Sequence, residues 1–235
     1  MLQITILKVH AIHAAIESYI RFLQSNESDR WTYVYDIIEQ LHTEWQLDAP
    51  DLKTSFDKAL DSSVSRRLWH RENFDAKGMM LHFLEIEPDY SKQMFRDLYD
   101  ESRAVEARID RFKFYCDELM QLFRQKYPKE IMTSHDQDVT IISLYLTAKY
   151  PTKYAIYPGM EVFKKALIRF ESPQPLLIDD PGRFFKVCKV LQTMGLKNQI
   201  LKDALSERFH QFPEQMKYRQ WTSELVMIIG SETST

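Results

Sequence analysis

Apolar residues at Leu2, Ile6, Val9, Ile16, Ile20 and Leu23 recur at three- and four-residue steps, with Lys8, His10, His13, Glu17 and Arg21 set between them. That spacing puts the apolar side chains on one stripe and predicts a long amphipathic helix. The same period returns in Val34, Ile37, Ile38, Leu41 and Trp45, and again in Leu52, Phe56 and Leu60, with Pro50 between the two runs because proline cannot continue an existing helix. Gly78 to Glu87, ended by Pro88, and Asp89 to Tyr99 read as two compact helices. The longest stripe runs through Val105, Ile109, Phe112, Cys116, Leu119 and Phe123, with mixed charge on the opposite face. After Pro128, an apolar run from Ile141 to Leu146 predicts a helix that starts at Asp136 or Asp138 and stops before Pro151. Gly159–Phe170, Phe184–Met194, Leu196–Phe209 and Glu214–Ile229 complete the series. Only Ala155–Tyr157 and Leu225–Ile229 are β-prone, and Asp61–Asn73 reads as a polar, basic loop or short connecting helix.

The pattern predicts an all-α fold, a multi-helix bundle with short loops. Five glycines in 235 residues disfavour a turn-dense β fold, and 44% hydrophobic residues suffice for a core. The prolines at 173, 175 and 181 mark the expected boundary: a main helical domain over 1–171, a connector over 172–182, and a C-terminal helical subdomain over 183–235 packed on the first. No stretch of roughly 20 nearly uncharged residues exists to span a membrane, so the chain reads as soluble and cytoplasmic with no membrane partner. Cys116 and Cys188 lie in apolar helical runs without CxxC spacing, which argues against a disulfide framework or a zinc site.

Catalytic motifs are missing. No G-x-x-x-x-G-K-[ST] loop, no G-x-S-x-G elbow and no H-E-x-x-H pair occurs, so the chain is not itself a P-loop NTPase, and neither enzyme activity nor a cofactor is expected. His135, Asp136 and Asp138 have the chemistry of metal ligands, yet acids at a helix start are expected to cap backbone amides instead, and no metal is expected. Asp75-Ala76-Lys77 matches a fragment carried by some metal-dependent nucleases but lacks a partner acid.

Charge changes the picture. The chain totals -3, but Thr147 to Lys202 holds ten Lys or Arg against four acids. Within it Lys149, Tyr150, Lys153, Tyr154, Tyr157, Lys164, Lys165 and Arg169 interleave cations with rings, a composition suited to phosphate contact and to stacking on unpaired bases. Arg66, Arg67 and Arg71, beside Trp69 and His70, form a smaller patch of the same type.

Two ordered blocks carry a resemblance. Asn73-Phe74, Gly78-Met79-Met80, Glu87-Pro88 and Met94 through Ser102, with Ile109 and Phe112, resemble the helical N-terminal region of bacterial McrB-like proteins, the AAA+ GTPase or ATPase subunits of modification-dependent restriction systems. Gln137-Asp138, Ile142, Tyr145-Leu146, Tyr150-Pro151, Lys153-Tyr154 and Ile156-Tyr157 look like the same family, while Asp136, Thr147 and Pro158 depart from its pattern. The resemblance implies a non-catalytic, target-sensing module of restriction or anti-phage defence that binds DNA, modified or not, with separate AAA+ motor and nuclease subunits as partners. The rival expectation is a helical protein-interaction module without nucleic-acid binding, offering Trp31, Trp45 and methionine-rich helices to a partner.

Overall fold

The computed structural model describes residues 7–25, 27–61, 66–72, 74–130, 133–172, 175–211 and 214–231. The expected all-α fold is present. The helices are α1 (Val9–Leu23), α2 (Thr32–Glu44), α3 (Leu52–Ala59), α4 (Arg66–Trp69), α5 (Ala76–Ile86), α6 (Pro88–Tyr99), α7 (Val105–Lys126), α8 (Val139–Lys149), α9 (Met160–Arg169), α10 (Pro181–Gly195), α11 (Gln199–Arg208) and α12 (Gln220–Ser231). Among the described residues the one strand pairing is a short antiparallel ladder of β1 (His70–Arg71) and β2 (Phe74–Asp75), inside the stretch expected to be loop or helix.

Side-chain caps set the helix starts. Asp51, Asp75, Asp180 and Asn198 accept hydrogen bonds from the amides of Thr54, Gly78, Arg183 and Leu201, each three residues on. Pro88 and Pro181 open α6 and α10, where the missing N–H is no loss.

The chain divides into two units, but not at the expected connector. One comprises residues 1–35 and 150–235, the other 36–149. In the first, α1 packs on α11 and α12, and α12 also packs on α9 and α10, so the N-terminal helix shares a core with the C-terminal ones. The segment around Pro175 lies inside that unit: Leu176 is buried, and the Arg183 guanidinium donates to Ser172 Oγ at 2.8 Å. Neither 1–171 nor 183–235 is therefore a self-contained body.

In the second unit α5 packs on α3, α6 and α7, and α8 packs on α6 and α7. The α8 helix is apolar on nearly every face and buried all round, as such a composition requires. Phe95 centres an aromatic cluster with Trp45 (5.1 Å), Phe112 (5.3 Å) and Tyr145 (5.3 Å). The fully buried Met79, Met80 and Met94 are thus core, not the docking surface expected of them, and Trp45 is half-buried against Phe56 and Phe95.

Candidate nucleic-acid interface

Gly159 turns the chain into α9 at φ 94°, a left-handed conformation that glycine reaches without a Cβ clash. Along α9, Phe163, Ala166 and Leu167 face the core, leaving Glu161, Lys164, Lys165, Ile168 and Arg169 outward. Three of those five exposed positions are cations. Among the described residues Lys164 and Lys165 have no ion-pair partner, and Ile168 is 68% exposed between Lys165 and Arg169. On α10, Lys186 and Lys189 are likewise exposed, opposite the buried Phe184, Val187, Cys188 and Leu191. They were not singled out as contacts, although their helical spacing opposite an apolar stripe already marks them as outward.

Lys153 is exposed on the turn between Tyr150 and the buried segment from Tyr154 to Tyr157. That turn is anchored from the residue just before α12: the Arg219 amide donates to Pro151 O at 2.8 Å, and its guanidinium donates to Lys153 O. Ile156 has its amide bonded to Gln220 Oε1 (2.9 Å) and its carbonyl to Ser223 Oγ (2.6 Å). Side chains thus do for the β-prone Ala155–Tyr157 what a neighbouring strand would do, which is why it stays extended without a sheet.

Two of the three tyrosines expected to stack on bases do not face solvent. Tyr154 is 8% exposed and meets Phe185 edge-on at 4.9 Å. Tyr157 is 1% exposed, with Phe184 at 5.3 Å and Phe163 at 6.0 Å. Burial pushes its phenol pKa well up, reinforced by the Asp179 carboxylate. Tyr150 is half-buried, 6.2 Å from the Tyr154 ring, and the Lys153 ammonium lies 5.4 Å from its centroid. A ring inside a core has no face left for a base, so Tyr154 and Tyr157 are packing residues and the stacking platform is not formed.

Lys149 belongs to the other unit, at the end of α8, with its ammonium 5.6 Å from the Tyr99 ring. The second basic patch is there as well. Arg66 is exposed and lines an open cleft of about 470 Å³ with Trp69, His70, Asp75 and Lys77, while the side chains of Arg67 and Arg71 lie outside the described residues. In that cleft the Asp75 carboxylate caps α5 at Gly78 N (2.9 Å), and Lys77 pairs with Asp57 at 2.6 Å. Both ends of the D-x-K triplet thus have structural partners. No group of three or more His, Cys, Asp or Glu stands where it could hold a metal ion among the described residues.

The His135–Asp138 cluster is structural too. Asp138 caps α8 through Ile141 N (2.9 Å), and Asp136, in the left-handed region at φ 56°, accepts from Asp75 N (2.7 Å). His135 Nδ1 accepts from Gln137 N (3.0 Å), and burial lowers its pKa despite the Asp117 carboxylate at 3.4 Å.

Ion pairs occur in both units: in the first, Arg208 pairs with Glu224 and Lys217 with Glu214. In 36–149, Lys53, Lys58, Lys77, Lys92, Arg96, Arg103, Arg108 and Arg111 are each matched to a carboxylate. The α9 lysines are not. No helix among the described residues is long and apolar enough to cross a membrane. No protein-family model, curated protein or solved structure matches the chain.

Proposed function

We propose that this chain is a non-catalytic DNA-recognition module acting in a McrB-like restriction or anti-phage defence system, with a separate AAA+ motor and nuclease supplying the chemistry. Its contact surface is the cationic face of the unit formed by residues 1–35 and 150–235, with Lys153, Lys164, Lys165 and Arg169 as the phosphate contacts. One observation carries this reading: exposed lysines on a single face of α9 without acidic partners among the described residues, in a chain whose other unit pairs eight of its 16 Lys and Arg with carboxylates. Exposed cations without acidic partners, here Lys164 and Lys165, attract a polyanion through counterion release. The sequence resemblance supplies the cellular setting.

Immobilised duplex, native and base-modified, tests the reading. The full chain should be retained at low salt, and Lys153→Glu with Lys164→Glu should release it. Failure to bind either duplex at low salt overturns the proposal.

A protein-interaction role is the second reading, favoured by the exposed Ile168, Leu177, Ile178 and Ile200. A stable protein complex from the native host, with no DNA retention, would favour it.

A further inference from the structure

Two of the three tyrosines that suggested base recognition are withdrawn into the protein and the third is half-buried, and that bears on which nucleic acid this surface takes. Among the described residues of the unit 1–35 and 150–235, no Phe, Tyr or Trp side chain is exposed: Phe22, Trp31, Tyr33 and Tyr150 are half-buried, and Tyr154 and Tyr157 are core. What projects from α9 is two lysines, an arginine, one acid (Glu161) at its start and the ringless Ile168. Arg169 already interacts within the chain, so its guanidinium plane is not an idle stacking surface.

Single strands are held by proteins largely through stacking, worth about 1 to 3 kcal/mol per base, on top of charge. Remove the rings and only charge is left. Duplex DNA carries one phosphate per about 1.7 Å of axis, twice the density of one of its strands. A surface that is mainly cationic and offers no exposed Phe, Tyr or Trp ring therefore favours the duplex. From Lys164 to Arg169 the helix advances about 7.5 Å, roughly two nucleotide steps along one strand. Contacts to phosphate position a protein but carry no base information, so this face is indifferent to base identity and to base modification.

Resting on the DNA-binding reading above, we infer that the α9 face takes duplex DNA by its phosphate backbone and does not stack an unpaired or extruded base on Tyr150, Tyr154 or Tyr157. Any discrimination of modified DNA then belongs to another surface.

Fluorescence anisotropy of the full chain against a labelled duplex, the single strand of the same sequence, and anionic phospholipid vesicles tests this. Duplex should bind at least roughly tenfold tighter than the single strand. With three to four phosphates contacted, duplex affinity should fall roughly 40- to 150-fold between 50 and 200 mM salt, from a slope of about −0.9 per phosphate. Tyr150→Leu should change neither affinity by more than about twofold, because that ring lies outside the contact. Lys164→Glu with Lys165→Glu, both at exposed positions and expected to leave the circular dichroism unchanged, should weaken the duplex at least roughly tenfold.

Tighter binding of the single strand, or a tenfold loss with Tyr150→Leu in a protein of unchanged circular dichroism, overturns the inference while leaving DNA binding intact. Binding of neither nucleic acid, or of vesicles alone, overturns the DNA reading and the inference together.

Discussion

Glu224 is the most demanding side chain in the molecule. It is completely buried, and its Oε2 accepts from Tyr19 OH at 2.9 Å and from the Arg208 guanidinium at 2.6 Å, while Arg208 also donates to Ser28 O at 2.9 Å. Burial pushes the Glu224 carboxyl up and Arg208 pulls it back, so the pair holds its charges by mutual contact. Breaking such a pair from one side strands the other charge in the core, at about 3 to 5 kcal/mol. Glu224→Ala should therefore cost about that much in urea unfolding, and Arg208→Met with Glu224→Leu should cost less than either single change. A single-variant loss below about 1 kcal/mol would contradict this. In the sequence Glu224 is only a lone acid in an apolar helix, since its partners lie 16 and 205 positions away. The tyrosines misled for a related reason. A ring flanked by lysines has the same composition whether it faces water or a core, and what decides it here are Gln220 and Ser223, more than 60 positions along the chain. The lysines were legible because a 3.6 period fixes which residues of α9 oppose Phe163, Ala166 and Leu167.

The α9–α12 pair holds the candidate surface in place, and it depends on a glycine. A Cβ at Gly230 would stand 2.4 Å from Val162 O, so the two helices approach more closely than any larger residue allows. Gly230→Ala must push them apart, and overpacking of this kind costs typically about 1 to 3 kcal/mol. Thermal unfolding should show a lowered midpoint, and one equal to or above the parent's would rule out this packing. Most helices were legible at this scale. Their stripes, the capping acid at Asp138 and the prolines at 50, 88 and 128 are local signals, and α5 through α8 lie close to where the pattern puts them. The β1–β2 ladder was not, because two-residue strands carry no alternation to read. The discontinuous unit was not legible either: nothing local in α1 announces that its partners are α11 and α12.

At the scale of the whole chain, the near-neutral total conceals two units of opposite sign. Residues 1–35 and 150–235 carry 15 Lys or Arg against 12 acids, and 36–149 carries 16 against 22. The acidic unit is also the acid-sensitive one. Burial acts to raise the Asp97 carboxyl, but hydrogen bonds from Tyr115, Arg111 and Gln93 outweigh it and hold Asp97 below its ordinary range, while burial depresses His135. With both values lowered by folding, the unfolded chain takes up protons first, so the stabilisation is intact above the ordinary values of 6.5 for histidine and 3.8 for aspartate. It is lost as pH falls through the folded ones. Urea midpoints should drop between about pH 7 and 5, less so in His135→Gln, and again below about pH 4; a midpoint that rises on acidification would refute this. The basic unit bears the functional claim, and the salt dependence of duplex binding by the full chain tests it most directly. The account predicts that log Kd rises linearly with log salt at a slope of about 3, reduced by about 2 in the variant carrying Lys164→Glu and Lys165→Glu. No binding at low salt, or a slope those two substitutions leave unchanged, would contradict it.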